Sequence, residues 1–295
     1  MVGSLINTIK EERVTLEAKK LDVELETETF KALIKGQDYN DFPIIPSIKE
    51  ENGLEMKIEA LKEALSQLEN SAMLSETYPE ISGVYWDFKK GGVELVATDS
   101  FRLGKKEMKL EVPESLIEKG FILPLRAAQE LLHIIMDSNQ ESAVTIYFNE
   151  NQVLFLFEDI YIISRLLSGA YPNYKDLIPQ GFNLEVMIDK EELANSIKLV
   201  RVFSPKTSDI KVEITESALK LSAKTQTGSS ESLVPADIQG SGVSELMFNH
   251  RYLLDGLSNI KEKKISITFK NEASPALFRG QGEESYLYVV MPLKS

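Results

Sequence analysis

Apolar positions along this chain follow two periods. Ile58, Leu61, Leu65, Leu68 and Ala72 recur three and four residues apart, which predicts an amphipathic helix over 58–72. A second helix opens at Pro124, a residue suited to a first helical turn, and carries Ala128, Leu131, Leu132 and Ile135. The third opens at Asp189, with Glu192 three residues on as an acidic capping box, and continues through Leu193, Ile197 and Val200. Asn249, a good N-cap, precedes Leu253, Leu257 and Ile260 in the fourth. Between these segments the period falls to two. Val144-Thr145-Ile146-Tyr147-Phe148 and Val153-Leu154-Phe155-Leu156-Phe157 flank the turn Asn149-Glu150-Asn151. Lys211-Val212-Glu213-Ile214 and Leu219-Lys220-Leu221-Ser222 flank Thr215-Glu216-Ser217, and both pairs read as hairpins.

Helix starts near 58, 124, 189 and 249 fall about 60 to 66 residues apart, the mark of internal duplication. Each unit is a helix followed by several antiparallel strands, an α+β organisation. Residues 11–34 fit the strand part of the scheme, with Arg13-Val14-Thr15-Leu16 and Leu21-Asp22-Val23-Glu24-Leu25, while Leu5, Ile6 and Ile9 suit the end of a further helix. Stepping back one interval from Ile58 places the start of that helix ahead of Met1. If units pair into domains of about 120 residues, the breaks fall near 47–53 and 180–181. That gives a partial first domain at 1–50, a central domain at 53–180 and a C-terminal domain at 181–295. The first would lack roughly 70 residues ahead of Met1. An N-terminal hairpin unrelated to the repeat is the alternative.

The 295 residues are 43% hydrophobic, ordinary for packed domains, and contain no apolar run long enough to span a membrane. Met1-Val2-Gly3-Ser4-Leu5 passes into a charged stretch without a secretory pattern. Cysteine is absent, which removes disulfides, thiolate metal sites and cysteine nucleophiles together and favours a cytoplasmic location. A net charge of -13 argues for solubility and against general adhesion to nucleic acid, although an average does not locate the charges. Neither a Gly-x-x-x-x-Gly-Lys phosphate loop nor a Gly-x-Ser-x-Gly elbow occurs. The two histidines, His133 and His250, fall far apart within helices, and His133, between Leu132 and Ile134, reads as partly packed. Glu50-Glu51 and Glu283-Glu284 read as solvated loops. No catalysis, metal or cofactor is expected.

Three segments remain. Ala97-Thr98-Asp99-Ser100-Phe101-Arg102-Leu103 follows the strand Val93-Glu94-Leu95-Val96; Asp and Ser make a turn there, after which Phe101 and Leu103 re-enter an apolar surface. Ser164-Arg165-Leu166-Leu167-Ser168-Gly169-Ala170-Tyr171-Pro172-Asn173-Tyr174 leads to Leu177-Ile178-Pro179 at the second domain break. Tyr288-Val289-Val290-Met291-Pro292-Leu293 forms an apolar tail, whose strand should stop at Met291 because Pro292 cannot continue a ladder. Such a tail covers a groove or forms part of one. In order and separation the Ala-Thr-Asp-x-x-Arg-Leu segment, the Tyr-Pro-x-Tyr linker and the Tyr-Val-Val-Met-Pro-Leu tail resemble the bacterial beta sliding clamp family, the DNA polymerase III processivity subunits, and the likeness runs from about residue 30 to 295.

The resemblance implies the DNA-clamp fold: a ring of two head-to-tail subunits, helices inside and sheets outside. It implies double-stranded DNA as an encircled, sequence-independent partner. Polymerase, clamp-loader and repair proteins would bind through short Gln/Leu/Phe motifs. Their groove would have a deep part made by Ile81, Thr98, Ser100, Phe101, Arg102, Leu103, Pro172, Leu177, Val289 and Met291, and a shallow part made by Asn249, Tyr252, Ala273, Pro292 and Leu293. DNA-facing candidates are Arg126, Lys198, Arg201 and Lys206, then Lys57, Lys62 and Arg251, although Glu59, Glu63 and Glu69 intersperse the first helix.

Three positions depart from the family pattern. Asp176 follows Lys175 where many relatives carry a basic pair, which disfavours acidic partner peptides. Phe101 stands for a His found in some members, and Tyr78-Pro79 for an Arg near the DNA. In the family the first domain pairs edge strands with the third domain of the partner subunit. Here the strand around 29–34 is the available element, and a non-ring peptide-binding adaptor or truncated clamp is the alternative reading.

Overall fold

The computed structural model describes residues 2–41, 48–51, 53–136, 138 and 142–293. They fall into two units, Met1–Ser47 and Ile48–Ser295. Part of the interval 47–53, where the first domain break is expected, lies outside the described residues, as do the two residues after Leu293.

The first unit holds a short helix, α1 (Val2–Thr8), and a three-stranded meander of β1 (Thr15–Lys19), β2 (Asp22–Glu26) and β3 (Lys31–Lys35). β2 is central, with Leu25 fully buried and Glu24 nearly so. Lys19 and Lys31 both reach the Glu24 carboxylate, the pairing a buried charge requires. Alternation in the sequence puts the first strand at 13–16, but β1 starts two residues later. The tight turn at Lys20, with φ of 58°, pairs Lys19 with Asp22 and sets the register from that end.

The second unit opens with β4 (Leu54–Lys57), α2 (Ile58–Leu68), β5 (Gly83–Lys89), β6 (Gly92–Thr98) and β7 (Arg102–Lys109). Next come β8 (Gly120–Pro124), α3 (Leu125–Met136), β9 (Ala143–Phe148), β10 (Gln152–Phe157) and β11 (Ile160–Arg165). The order then recurs: β12 (Leu184–Asp189), α4 (Lys190–Val200), β13 (Asp209–Ile214), β14 (Ala218–Thr225) and β15 (Gly228–Gly240). It closes with β16 (Glu245–Asn249), α5 (His250–Asn259), β17 (Lys264–Phe269), β18 (Ala276–Gly280) and β19 (Tyr286–Val290). Strand, helix, three strands is thus the repeating motif, the α+β pattern expected from the periods of the sequence.

In this second unit each helix is entered directly from a strand. Asp189 caps α4 by accepting from Glu191 N and Glu192 N, and Asn249 caps α5 by accepting from Arg251 N. Pro124 instead ends β8 and α3 begins at Leu125. α2 stops at Leu68, short of the expected Ala72, and residues 69–71 tighten into a 3-10 turn. That turn presses on β7 at Gly104, where a Cβ would lie 2.7 Å from Ser71 Oγ and 2.8 Å from Leu68 Cδ2. His133, expected to be partly packed, is exposed on α3.

β11-β10-β9-β4 form a four-stranded sheet, and the other strands of this unit join in one twelve-stranded sheet ordered β16-β13-β14-β15-β12-β17-β18-β19-β7-β6-β5-β8. β19 pairs with β7 and thereby fuses the two halves of the unit. Every residue of β19 and β6 is buried, since both faces are covered. Tyr286, Tyr288 and Val290 point into the main core, while Leu287 and Val289 join Val96, Leu103, Tyr174 and Leu277 in a second apolar cluster. In the first half Trp86, Phe121, Phe148 and Phe155 interlock between the two sheets, with the Trp86–Phe121 centroids 5.3 Å apart and Phe121–Phe148 4.8 Å. Each such aromatic pair contributes about 0.5–1.5 kcal/mol beyond its buried area.

Gly256 of α5 lies against the Tyr288 ring, and a Cβ there would meet Cδ1 at 2.2 Å. Glycine to alanine inside a helix ordinarily stabilises by about 1 kcal/mol. Here the clash reverses the sign: Gly256→Ala is expected to cost about 1–3 kcal/mol, read as a lower urea midpoint, and a raised midpoint would contradict the packing.

Candidate functional site

Three segments meet at the seam between the halves. The first is the β6–β7 turn. Asp99 is buried there and organises it: Oδ1 accepts from Phe101 N and Arg102 N, each at 3.0 Å, and Oδ2 accepts from Arg102 Nε at 2.9 Å. Ser100 takes φ of 75°, and the Thr98 hydroxyl donates to Arg102 O at 2.6 Å. The second is the chain end. β19 places Val290 opposite Arg102 and Val289 opposite Leu103. Its ladder ends at Val290, one residue before the expected stop, though Met291 N still donates to Phe101 O at 2.8 Å. Leu293 N donates to Met247 O at 2.8 Å, bringing the tail alongside β16 and so towards Asn249.

The third segment is the linker, residues 171–178, on the other face of β5–β7. Tyr171 stacks on Tyr85 with centroids 4.8 Å apart, and its hydroxyl donates to Val96 O. Tyr174 is buried, and its hydroxyl lies 2.7 Å from an Asp87 oxygen and 2.5 Å from a Glu94 oxygen. Lys89 and Lys105 also reach Glu94, so its carboxylate is compensated. Burial, then the Asp87 carboxylate, pushes the Tyr174 phenol far above its ordinary range and keeps it neutral. This anchorage sets Tyr171, Tyr174 and Ile178 against the Leu103–Val289 cluster, with Pro172 and Leu177 adjoining them in the chain.

Of the deep-pocket residues, Ile81, Thr98, Leu103 and Val289 are buried, while Ser100, Phe101, Pro172, Leu177 and Met291 are exposed. Phe101 was expected to re-enter an apolar surface; it is 53% exposed and stacks on Tyr252 at 6.4 Å. Ile81 sits on a 3-10 turn leading into β5, and Glu80 beside it approaches Gly169 where the linker begins. Among the shallow residues Asn249, Tyr252, Pro292 and Leu293 are half-buried, and Ala273 is exposed on the β17–β18 turn. Glu272 of that turn receives the Ser244 hydroxyl just before β16. Sequence reasoning passed over Asp99 as an organiser, although its turn propensity marked it. It also passed over Met247, Asp255, Asp87 and Glu94, which reach the seam only through tertiary contacts.

Arg126, Lys198, Arg201 and Lys206 are all exposed. A cleft of about 380 Å³ between α4 and α5 is lined by Lys190, Lys198, Arg201, Asp255 and Ser258. Lys57 and Arg251 are exposed, but Lys62 donates to Met136 O at 2.9 Å and is already engaged. No helix among the described residues is long and apolar enough to cross a membrane.

Strand-helix-strand repeats fused edge to edge define the DNA-clamp class. Two family models match, the DNA polymerase III beta subunit central domain over residues 55–173 and its C-terminal domain over 175–294. The chain therefore belongs to the DNA polymerase III beta subunit family, the beta sliding clamps. The Staphylococcus aureus beta sliding clamp is 28% identical over 288 residues, covering 93% of this chain and 75% of that protein. The Synechococcus elongatus beta sliding clamp is also 28% identical, over 285 residues, covering 95% and 76%. In three dimensions the Bacillus subtilis DNA polymerase sliding clamp superposes with a TM-score of 0.92 at 25% identity, covering 100% of this chain and 78% of that one. The Thermotoga maritima DNA polymerase III beta subunit superposes at 0.89 and 24% identity, with coverage of 100% and 79%.

His250, beside Asn249, is buried, with no partner for Nδ1 among the described residues. Burial, reinforced by Arg201 and Arg251 and opposed by Asp209, holds its pKa below the ordinary 6.5. The unfolded chain therefore binds this proton more readily, and the native state loses stability as pH falls through the unfolded value towards the folded one. Urea midpoints compared at about pH 7.5 and about pH 5.5 should fall more for the parent chain than for His250→Gln. Equal falls would remove His250 as the titrating group.

Proposed function

We propose that this chain is a non-enzymatic cytoplasmic DNA clamp. Two copies close head to tail around duplex DNA and hold polymerase, clamp-loader and repair proteins by short Gln/Leu/Phe motifs. The observation that carries the reading is the convergence of the 98–103 turn, the 171–178 linker and the 286–293 tail on one seam. In this reading the seam lies between a central domain at 53–180 and a C-terminal domain at 181–295.

The groove chemistry suits an extended peptide. In this reading the buried Ile81, Leu103 and Val289 floor an apolar pocket and the exposed Pro172, Leu177 and Met291 rim it, so a Leu-Phe anchor gains by burial. Asn249 and the backbone of the tail supply directional hydrogen bonds. A few anchors in a small interface give affinities around micromolar, suited to partners that exchange.

An encircling ring needs only weak, sequence-blind phosphate contacts, which Arg126, Lys198, Arg201 and Lys206 can make. Ring closure has candidate surfaces as well. Leu199, Val202 and Leu233 are exposed on α4, the turn after it and β15. Residues 228–235 of β15 pair with β14, and β12 takes only 236–240, which leaves a strand edge for a partner subunit. β3, an edge strand of the first unit with Leu33 exposed, suits the opposite side of that contact.

Two measurements test this. A labelled Gln-x-x-Leu-Phe peptide should titrate saturably by fluorescence polarisation. Binding should be lost in a chain ending at Val290, and Met291→Ala with Leu293→Ala should abolish polymerase stimulation without unfolding the protein. Full stimulation by that double variant would sink the groove assignment. In solution the mass should be near twice 33.2 kDa; a monomer at every concentration would replace the ring with a peptide-binding adaptor.

A further inference from the structure

Arg102 was expected to line the deep pocket, and two of its guanidinium donors are held by carboxylates of the protein itself. Nε donates to Asp99, Nη1 donates to Asp255, and the planar group lies over the Tyr252 ring with Cζ 4.4 Å from the centroid. Arg102 is half-buried, and although burial works against its charge, Tyr288, Asp255 and Asp99 outweigh that cost.

We infer that Asp255 is a positioning residue for the groove, acting through Arg102; the inference rests on the peptide-binding reading above. Asp99 fixes only the Nε end, because its other oxygen is occupied by two backbone N–H groups of the β6–β7 turn. The far end of a long, flexible side chain needs a second anchor, and Asp255 supplies it from α5 in the other half of the unit. Asp255 and Tyr252 are three residues apart on α5 and so share a face. Holding the guanidinium on Asp255 therefore also holds it flat on Tyr252, whose ring in turn stacks on Phe101. The result is an aromatic wall built from both halves and set by one ion-paired strut. Recognition at this wall is by shape.

The test is peptide titration with variants of the whole chain. Asp255→Asn keeps the side-chain shape and removes the charge; affinity for the Gln-x-x-Leu-Phe peptide should fall about fivefold to tenfold, and Asp255→Glu should recover most of it. Arg102→Met should show a similar loss, and the double variant should bind no more weakly than Arg102→Met alone, because both residues act as one unit. Leu193→Ala, a core truncation in α4, should lower stability and leave affinity unchanged in the folded range. Wild-type affinity in Asp255→Asn, or additive losses in the double variant, would overturn the inference while leaving the groove intact. Absence of binding by the parent chain would overturn the groove reading itself, and this inference with it.

Discussion

Five residue pairs between β7 and β19, from Tyr286 opposite Lys106 to Val290 opposite Arg102, make one sheet of two repeated halves. The ladder holds because both faces of β19 are dry. Alternate side chains enter the main core and the cluster under the linker, so its backbone bonds are shielded from water and its apolar area is removed on both sides. Everything at the seam follows from that pairing. It carries Met291 to the β6–β7 turn, delivers Leu293 to β16, and brings Tyr288 under α5, where only glycine fits at 256.

Polar groups at the seam are as consequential as the apolar ones. Glu94 would be costly to bury alone; with Lys89, Lys105 and Tyr174 around it, it pins the linker to the outer face of the sheet. Asp99 performs the same service for the β6–β7 turn. Leu103 and Val289 thus sit beside backbone whose position is fixed by buried, partnered charges. Under the peptide-binding reading proposed above, a groove prepared in this way would lose little conformational freedom when an extended peptide enters, which favours specificity at modest affinity.

The charge distribution completes the picture. A net charge of -13 argues against general adhesion to nucleic acid, while the cations on α3, on α4 and just beyond α4 that are proposed above for phosphate contact are exposed. Binding by enclosure tolerates this arrangement because retention does not depend on affinity. A clamp has to slide, and strong local contacts would oppose that.

Periodicity alone determined the α+β repeat, since a helix or strand must turn an apolar stripe of the right period to the core. Helix capping at Asp189 and Asn249 was equally legible, being a local hydrogen bond between near neighbours. Motif order made the family readable and singled out the three segments that meet at the seam. Strand and helix ends were less so: β1 was shifted by the turn at Lys20 and α2 was cut short where it meets Gly104, both decisions of register and packing. The roles of Asp255, Glu94 and Met247, the exposure of Phe101, and the engagement of Lys62 were decided only by the tertiary structure. Each depends on a partner distant in sequence, and no local pattern in a single chain encodes which distant residue will arrive.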